Sequence, residues 1–329
     1  MPIVKSKYHR RPWYFLNGHF ETIIPSLFFK VDGVNYQRER LELEDGDFLD
    51  LDWVRGDNKR LIVLSHGLEG SADRHYIKRP AWYFSQRGWD ILAWNNRSCS
   101  GEMNRLPRFY HHGATEDIAA VIERGLQEAY DEVVLIGYSM GGGMQQKYLG
   151  ERDPDLRIKG AVSFSVPCNV QESAELLKVG INRIYENKFI VKLRDKILTK
   201  SELIDLPVDI EVIRKVKNFK ELDENFTLKV HPEYEDANDF YARITSDQFL
   251  PNIKVPLLIV NALNDPMLGE KCYPTKLADS SKNIFLEMPK IGGHVGFTLP
   301  KDQWSYMEYA ADSFIKEVIP SSQTSTKPH

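Results

Sequence analysis

Ser139 lies at the centre of a G-x-S-x-G run, where its hydroxyl could act as a nucleophile. The mostly apolar residues 132–136 before it predict a strand, and residues 144–151 after it can form a helix. A serine in so tight a turn exposes its hydroxyl, and the residues two before and two after it must be small so that strand and helix can approach. Gly137 and Gly141 meet that demand. The context therefore predicts a nucleophile elbow.

A serine hydroxyl is a weak nucleophile at neutral pH and needs a general base, which an acidic side chain must orient. In a fold that carries such an elbow, the chain order is nucleophile, acid, histidine. The strand predicted to end at Val260 is followed by Asp265, and the strand predicted to end near Met288 is followed by His294. We predict that Asp265 is the acid and His294 the base. Glu172, after the preceding strand, is the rival acid.

The oxyanion that forms during acyl transfer needs backbone amide groups aimed at it. One amide comes from the residue after the nucleophile, and the other comes from the loop after an early strand. Residues 66–70 follow the first predicted parallel strand and contain two glycines. The predicted oxyanion hole therefore consists of the N–H groups of Leu68 and Met140. A plain strand-to-helix turn explains the glycines but not their coincidence with an elbow.

The remaining histidines and the cysteines do not suggest a metal or redox centre. His111 and His112 are adjacent but have no third ligand near them in the chain, so a structural role is favoured over metal binding. The three cysteines form no C-x-x-C pair, which fits free thiols in a reducing compartment and predicts a cytoplasmic protein. Cys99 is interpreted as a small buried residue. No cofactor and no metal are expected.

Short apolar runs alternate with helical stretches from about residue 60 onward. This alternation predicts a mostly parallel sheet covered by helices. Before it, residues 38–43 and 48–54 flank an acidic turn and predict an antiparallel hairpin. The predicted parallel strands are 61–64, 91–94, 133–136, 160–164, 256–260 and 283–288, and the predicted helices are 79–87, 115–130 and 144–151.

Between residues 168 and 249 the strand signals stop, and charged residues accompany apolar residues at helical spacing. We predict a helical cap over the carboxyl ends of the strands, where ligands of open α/β sheets bind. An ordinary helical excursion without a role in binding is the alternative. The predicted organisation is an N-terminal arm packed on the core at 1–30, a core at 31–167 and 250–319, the cap at 168–249, and a disordered tail at 320–329.

The chain has 329 residues, of which 42% are hydrophobic, and a formal net charge of −4, as is ordinary for a soluble globular protein. No basic run is interleaved with aromatic residues, so nucleic acid is not expected as a partner. No segment approaches the roughly 20 apolar residues of a membrane span. The basic, aromatic N-terminus is interpreted as part of the arm, with contact to a bilayer surface as the alternative. No obligate protein partner is inferred.

From about residue 12 to residue 319 the chain resembles the YheT-like branch of the α/β-hydrolase superfamily. The motifs that carry the resemblance are Asn17-Gly18-His19-Phe20-Glu21-Thr22-Ile23, His66-Gly67-Leu68-Glu69-Gly70-Ser71, Asn96-Arg97-Ser98-Cys99-Ser100-Gly101-Glu102, Asn104-Arg105-Leu106-Pro107 and Thr115-Glu116-Asp117-Ile118. The block from Arg97 to Pro107 is the most discriminating of them. That family is regarded as serine esterases or acyltransferases with a Ser-Asp-His triad, which the resemblance maps onto Ser139, Asp265 and His294.

Two positions depart from the family pattern. Glu21 stands where the family has a glutamine, and Asn264-Asp265-Pro266 stands where it has Asp-Asp-Pro. The second change leaves the acid in place. Within the discriminating block, Arg97 and Glu102 are expected to form an ion pair that braces the loop after the second parallel strand.

Together these observations predict an α/β hydrolase with a mostly parallel sheet, flanking helices and a helical cap insert. Its predicted activity is hydrolysis of short- to medium-chain acyl esters through an acyl-serine intermediate. Transfer of the acyl group to an alcohol or thiol is the first alternative; a non-catalytic ligand-binding module is disfavoured because all three triad residues are retained. The expected partner is a small-molecule ester. Residues of the cap expected to cover or select its apolar acyl chain are Ile181, Ile184, Tyr185, Phe240, Tyr241 and Phe249.

Overall fold

Apolar residues fill the strands at the centre of the molecule, which is described over residues 3–319 by a computed structural model. Residues 61–64 and 133–136 are buried throughout, on both faces of the sheet, as is typical of parallel strands covered by helices. Within the described residues the strands are β1 (Ile3–Val4), β2 (Gln37–Glu42), β3 (Phe48–Val54), β4 (Arg60–Ser65), β5 (Asp90–Asn95), β6 (Glu132–Tyr138), β7 (Ile158–Phe164), β8 (Leu257–Val260) and β9 (Ile284–Glu287).

These strands form one sheet in the order β1-β9-β8-β7-β6-β4-β5-β3-β2. Strands β2 and β3 pair antiparallel, and β3 pairs antiparallel with β5, whereas the other neighbours are parallel. The α/β fold class expected from the sequence is confirmed, including the hairpin that leads into the parallel part. The tail predicted at 320–329 lies outside the described residues.

Helices cover both faces of the sheet. They are α1 (Gly18–Phe28), α2 (His75–Ser85), α3 (Thr115–Leu126), α4 (Met140–Glu151), α5 (Val170–Leu177), α6 (Arg183–Ser201), α7 (Ile210–Ile213), α8 (Phe219–Leu222), α9 (Leu228–Val230), α10 (Ala237–Ile244), α11 (Thr275–Ser280) and α12 (Tyr306–Glu317). The sequence placed the start of α2 at Arg79 and that of α4 at Met144, each about one turn too late. No helix within residues 3–319 is long and apolar enough to cross a membrane.

The segment from residue 168 to residue 249, called the insert below, lies between β7 and β8 and holds α5 to α10. It packs on the sheet through apolar side chains, since Ile190, Ile197 and Phe226 are buried in the same cluster as Leu135 and Met140. A π-helical turn at Asp223–Thr227 links α8 to α9. The insert therefore lies against the end of β6, where the elbow begins.

The N-terminal segment up to α1 adds β1 to the sheet beside β9 and packs on the core. Tyr8 and Phe15 are buried, and the Tyr8 hydroxyl donates a hydrogen bond to the Thr298 carbonyl. Asn17 caps α1 by accepting hydrogen bonds from two backbone N–H groups. Neither α1 nor β1 is predicted from the sequence, because Pro25 interrupts the helical pattern and β1 has two residues only.

Candidate active site

The G-x-S-x-G run forms a strained turn between β6 and α4. Ser139 stands at the N-terminus of α4 with φ 51° and ψ −122°, a conformation that residues other than glycine rarely adopt. A Cβ atom on Gly137 would lie 2.7 Å from the backbone of Gly142, and one on Gly141 would lie 2.5 Å from the His66 carbonyl oxygen. Glycine at these positions thus lets β6, α4 and the loop after β4 approach one another.

His294 connects the serine to a buried carboxylate. Its Nε2 lies 2.9 Å from the Ser139 Oγ, and its Nδ1 lies 2.9 Å from Oδ2 of Asp265. The Asp265 side chain is fully buried, and its Oδ1 accepts a hydrogen bond from the Met267 N–H. Since Nδ1 faces a carboxylate, it carries the ring proton, and Nε2 is free to accept one from the serine. The structure brings these three predicted residues together, whereas Glu172 accepts a bond from the Lys271 N–H.

The loop after β4 faces the serine. A Cβ atom on Gly67 would lie 3.1 Å from the Ser139 Cβ, and Leu68 and Met140 line the same cavity as the serine hydroxyl. Burial lowers the pKa of His66 to about 4, so its ring is neutral at pH 7. The ring Nδ1 lies 2.7 Å from the Gly67 carbonyl oxygen, and Nε2 accepts the Asn96 N–H. His66 therefore braces this loop and does not compete with His294 as a base.

Helix α1 holds the loop that carries His294. The Thr22 hydroxyl oxygen accepts the His294 N–H at 2.9 Å, and the Glu21 carboxylate accepts the Gly292 N–H at 2.6 Å. Glu21 Oε2 also accepts the side-chain amide of Asn264 at 2.9 Å, and Arg11 forms an ion pair with this carboxylate. The two positions that depart from the family pattern, 21 and 264, therefore contact each other.

Reasoning from the sequence does not show that Glu21, Thr22 and Asn264 position the loop of His294. The conformation of the loop requires glycine at 292 and 293, with φ 145° and 57°, and the Gly-Gly-His run is a visible signal of a tight turn. The partners of that turn lie about 270 residues earlier in the chain, in a motif whose only sequence signal is the family resemblance. Ser165 completes the support, because its hydroxyl oxygen accepts the Val295 N–H at 2.9 Å.

A cavity beside Ser139, called the apolar cavity below, has about 1100 Å³ of empty space, part of which is open to solvent. Residues of the insert supply most of its wall, and Phe240 and Tyr241 are among them, as the sequence predicts. Phe249, Ile181 and Ile184 do not line it; the two isoleucines are more than half exposed, which corrects the expectation for them. Other apolar lining residues include Ala174, Leu177, Phe189, Leu193, Ile197, Leu222, Phe226 and Met267.

The apolar cavity also contains a few buried polar groups. Burial raises the pKa of the Asp223 carboxyl to about 6, although it accepts hydrogen bonds from Tyr241 and Thr227. Burial lowers the pKa of His112 to about 4 and holds that of His111 well below its ordinary range, so both rings are neutral at pH 7. Between residues 3 and 319 no group of three or more His, Cys, Asp and Glu side chains could hold a metal ion.

On the other side of Ser139 lies a cleft of about 770 Å³, called the cationic cleft below. It shares Ser139, His294, Leu68, Phe189 and Met267 with the apolar cavity, so the two spaces meet at the serine. Its remaining lining comes mainly from α1, the start of α2, the loop after β4 and α6, and most of these residues carry a charged or hydrogen-bonding group. The side chains with charge or hydrogen-bonding groups are Thr22, Ser26, Glu69, Arg74, His75, Tyr76, Tyr185, Lys188 and Lys192.

The family-specific block braces the core away from the serine. Arg97 is buried and contacts three carboxylates, those of Asp45, Asp47 and Asp117, at 2.7–2.8 Å. Glu102 pairs instead with Arg40 on β2. The expected Arg97–Glu102 ion pair is therefore wrong. The expectation assumed a partner close in the chain, whereas the partners of Arg97 come from the hairpin turn and α3.

An open α/β sheet with a serine elbow, a histidine and a buried aspartate defines the α/β-hydrolase class. The family described as serine aminopeptidase, S33 (Hydrolase_4) matches residues 56–273. The esterase-named YheT protein of Escherichia coli (strain K12) is 32% identical over 86% of this chain and 85% of its own length. The chain belongs to this family, its YheT-like character is confirmed, and it is a serine hydrolase of the esterase type.

Further relatives agree with this assignment. Phospholipase ABHD3 of Bos taurus is 26% identical over 97% of this chain and 80% of its own length. Among solved structures, the Pyrococcus furiosus esterase Pf2001 aligns with a TM-score of 0.58 and 14% identity, covering 88% of this chain and 99% of that one. At that level of identity the structural likeness concerns the fold alone.

Proposed function

We propose that this protein hydrolyses carboxylic esters with short- to medium-length acyl chains through an acyl-serine intermediate, with Ser139 as nucleophile, His294 as base and Asp265 as orienting acid. The observation that carries the proposal is the continuous contact from Ser139 Oγ through His294 to Asp265, with 2.9 Å at each step. The predicted oxyanion donors, the N–H groups of Leu68 and Met140, complete the proposed site.

The proposed reaction proceeds in two halves. Ser139 Oγ attacks the ester carbonyl carbon while its proton passes to His294 Nε2, and the Leu68 and Met140 N–H groups stabilise the oxyanion. The bond to the alcohol oxygen then breaks, and the alcohol leaves with the proton from His294. Water attacks the acyl-serine by the same route and releases the carboxylic acid. Asp265 stays ionised and stabilises the imidazolium form of His294.

The apolar cavity supports the proposal that the enzyme selects its substrates by their acyl chain. It reaches Ser139 and is walled by the insert, and ligand pockets of this kind are mostly apolar with few polar groups. We propose on this ground that residues 168–249 form a cap that selects the acyl group, between core segments 31–167 and 250–319 and beside the arm at 1–30. The cytoplasm remains the predicted location.

The family description names an aminopeptidase, but the charges near the serine favour an ester substrate. An aminopeptidase must bind a free ammonium group close to its nucleophile, and the cationic cleft presents Arg74, Lys188 and Lys192. Among the described residues that line it, Glu69 carries the only carboxylate, and Glu69 is already paired with Lys196. A cationic amino terminus would meet like charge there.

The first test is Ser139→Ala with a graded series of p-nitrophenyl esters and a fluorophosphonate label. We expect turnover to fall by roughly 10⁵–10⁶ and labelling to vanish, as for other triad serines. Ser280→Ala, which changes an exposed serine on α11, is the matched control and should keep both. Labelling that survives in the Ser139 variant, or a loss below tenfold, would exclude Ser139 as the nucleophile.

A further inference from the structure

Helix α6 carries four lysines at a spacing of four residues: Lys188, Lys192, Lys196 and Lys200. Side chains four apart lie on one face of a helix, so these lysines form a row along α6. Like charges at this spacing destabilise an isolated helix. The row therefore needs negative or polar partners, and its two halves differ in whether the protein supplies them.

The two lysines nearer the C-terminus of α6 have partners in the core. Lys196 Nζ lies 2.6 Å from the Glu69 carboxylate, which also accepts the Tyr110 hydroxyl at 2.6 Å. Lys200 is fully buried, donates to the Asn104 side-chain oxygen and lies 4.5 Å above a phenylalanine ring. These contacts fix the register of α6 against the loop after β4.

The two lysines nearer the N-terminus of α6 have no anionic partner in the part of the chain that the structure describes. Lys188 and Lys192 line the cationic cleft together with Arg74, whose guanidinium donates to the backbone and hydroxyl oxygens of Ser26. Burial and the charges of Lys192 and Arg74 lower the pKa of Lys188. Glu69, the one acid in this lining, is held by Lys196. Three cations thus face one space that ends at Ser139.

We propose that the cationic cleft binds the alcohol part of the ester through a phosphate group that it carries. A phosphate has up to two negative charges and several acceptor oxygens, enough to engage one arginine and two lysines, whereas a carboxylate has one charge and two oxygens. The apolar cavity then takes the acyl chain, and the scissile bond lies between them at Ser139. The inference rests on the proposed ester hydrolysis and assigns the other half of the substrate.

A solvated helix face is the alternative for Lys188 and Lys192, since both are exposed. Two features favour binding over that alternative. The lysines belong to the lining of a cleft that contains Ser139 and His294, and Arg74, directly before α2, adds a third cation to that lining. If the lysines served only solubility, there would be no reason for them to lie in the same cleft as the serine.

The test compares 1-octanoylglycerol-3-phosphate with 1-octanoylglycerol, both below their aggregation concentrations. The wild type is expected to prefer the phosphate ester in kcat/KM, and the double variant Lys188→Gln/Lys192→Gln to lower that preference about tenfold, the effect of losing two partly exposed charge contacts. Raising the ionic strength should lower the wild-type preference as well. Lys215→Gln/Lys229→Gln removes two exposed lysines of the insert outside both cavities and should keep the wild-type preference.

A preference for the phosphate that is absent, or that is unchanged in the double variant, with both the dissolved esters and the vesicles described next would overturn the inference while leaving ester hydrolysis intact. No hydrolysis of either ester, with Ser139 unlabelled by fluorophosphonate, would instead refute the proposed function itself. A second arm presents a long-chain acylglycerophosphate in neutral phosphatidylcholine vesicles. If the double variant loses the preference tenfold with the dissolved ester, the ligand is a soluble phosphate ester. If it loses the preference only with vesicles, the ligand is the head group of a membrane lipid.

Discussion

The apolar cavity and the cationic cleft meet at the same serine but are built from different chemistry. The cavity is walled by buried apolar side chains of the insert, and burial keeps His111 and His112 in its lining neutral. The cleft is lined by Arg74, Lys188 and Lys192 and by several hydrogen-bonding side chains. Under the proposals above, the two halves of an ester are recognised separately, one by burial and the other by charge.

Helix α6 contributes to both spaces. Phe189, Leu193 and Ile197 on one side of the helix line the apolar cavity, and Lys188 and Lys192 line the cleft. One helix of the insert thus divides the two spaces, and changes on its two sides should have separable effects. Variants at different positions can test that separation. The first changes Asp265, because the proposed reaction of every ester at Ser139 depends on it.

Asp265→Asn is expected to lower kcat by roughly 10³–10⁴ for every ester, whatever its acyl or alcohol part. The asparagine keeps the shape of the side chain but favours the wrong tautomer of His294 and leaves its imidazolium less stabilised. The measurement is kcat across acetyl to dodecanoyl esters. Glu172→Gln, which changes the rival acid, should remain active, and the reverse pattern would overturn the assignment.

Asp223→Asn is expected to stabilise the protein above pH 6, because the native carboxyl is buried in the apolar cavity. With its pKa raised from 3.8 to about 6, Asp223 keeps its proton in the folded state over a range in which the unfolded chain releases it. Stability contributed by this group is thus lost as pH rises from about 4 to 6. The gain from the variant should grow over that range to about 3 kcal/mol.

Urea unfolding of the wild type and of Asp223→Asn between pH 4.5 and pH 8 measures this gain. The nearby Glu224 charge adds to the raised pKa, whereas Tyr241 and Thr227 oppose it by donating hydrogen bonds. A gain that does not vary with pH would mean that Asp223 is ionised in the native cavity at all these pH values, and that the cavity is wetter than its lining indicates.

Ala174→Phe should shorten the acyl chain that the apolar cavity accepts and leave the cationic cleft unaffected. Each methylene that no longer fits forfeits about 0.8 kcal/mol of burial, so a ring that displaces about three methylenes lowers kcat/KM for decanoyl esters roughly sixtyfold. Acetyl esters should change less than about twofold. Ile184→Ala, at an exposed position of the insert, is the control and should leave the profile unchanged.

Local patterns were sufficient to predict the core of this molecule. The strand, turn and helix around Ser139 and the hairpin of β2 and β3 are each encoded within about 20 consecutive residues, and the sheet follows from their alternation. The grouping of Asp265 and His294 with the serine was expected from chain order alone, and the structure places them in contact.

The surroundings of the site depend on contacts that no local pattern encodes. In α6 apolar and charged residues alternate without one clear apolar face, because the helix packs on the core while bordering two spaces. Its exposed and buried positions, such as Ile184 and Tyr185, therefore could not be told apart. The partners of Arg97 and the support of His294 lie far away in the chain. The family match at residues 56–273 ends before His294 and begins after α1.

The contacts between α1 and the His294 loop also set the order in which activity can arise during synthesis. The ribosome makes the chain from its N-terminus, and domains fold as their residues emerge. The elbow, the loop after β4 and the insert are complete before residue 294 has been made, so the growing chain holds the proposed nucleophile without its proposed base. Esterase chemistry therefore begins only when the last strand and its loop dock on a helix made some 270 residues earlier.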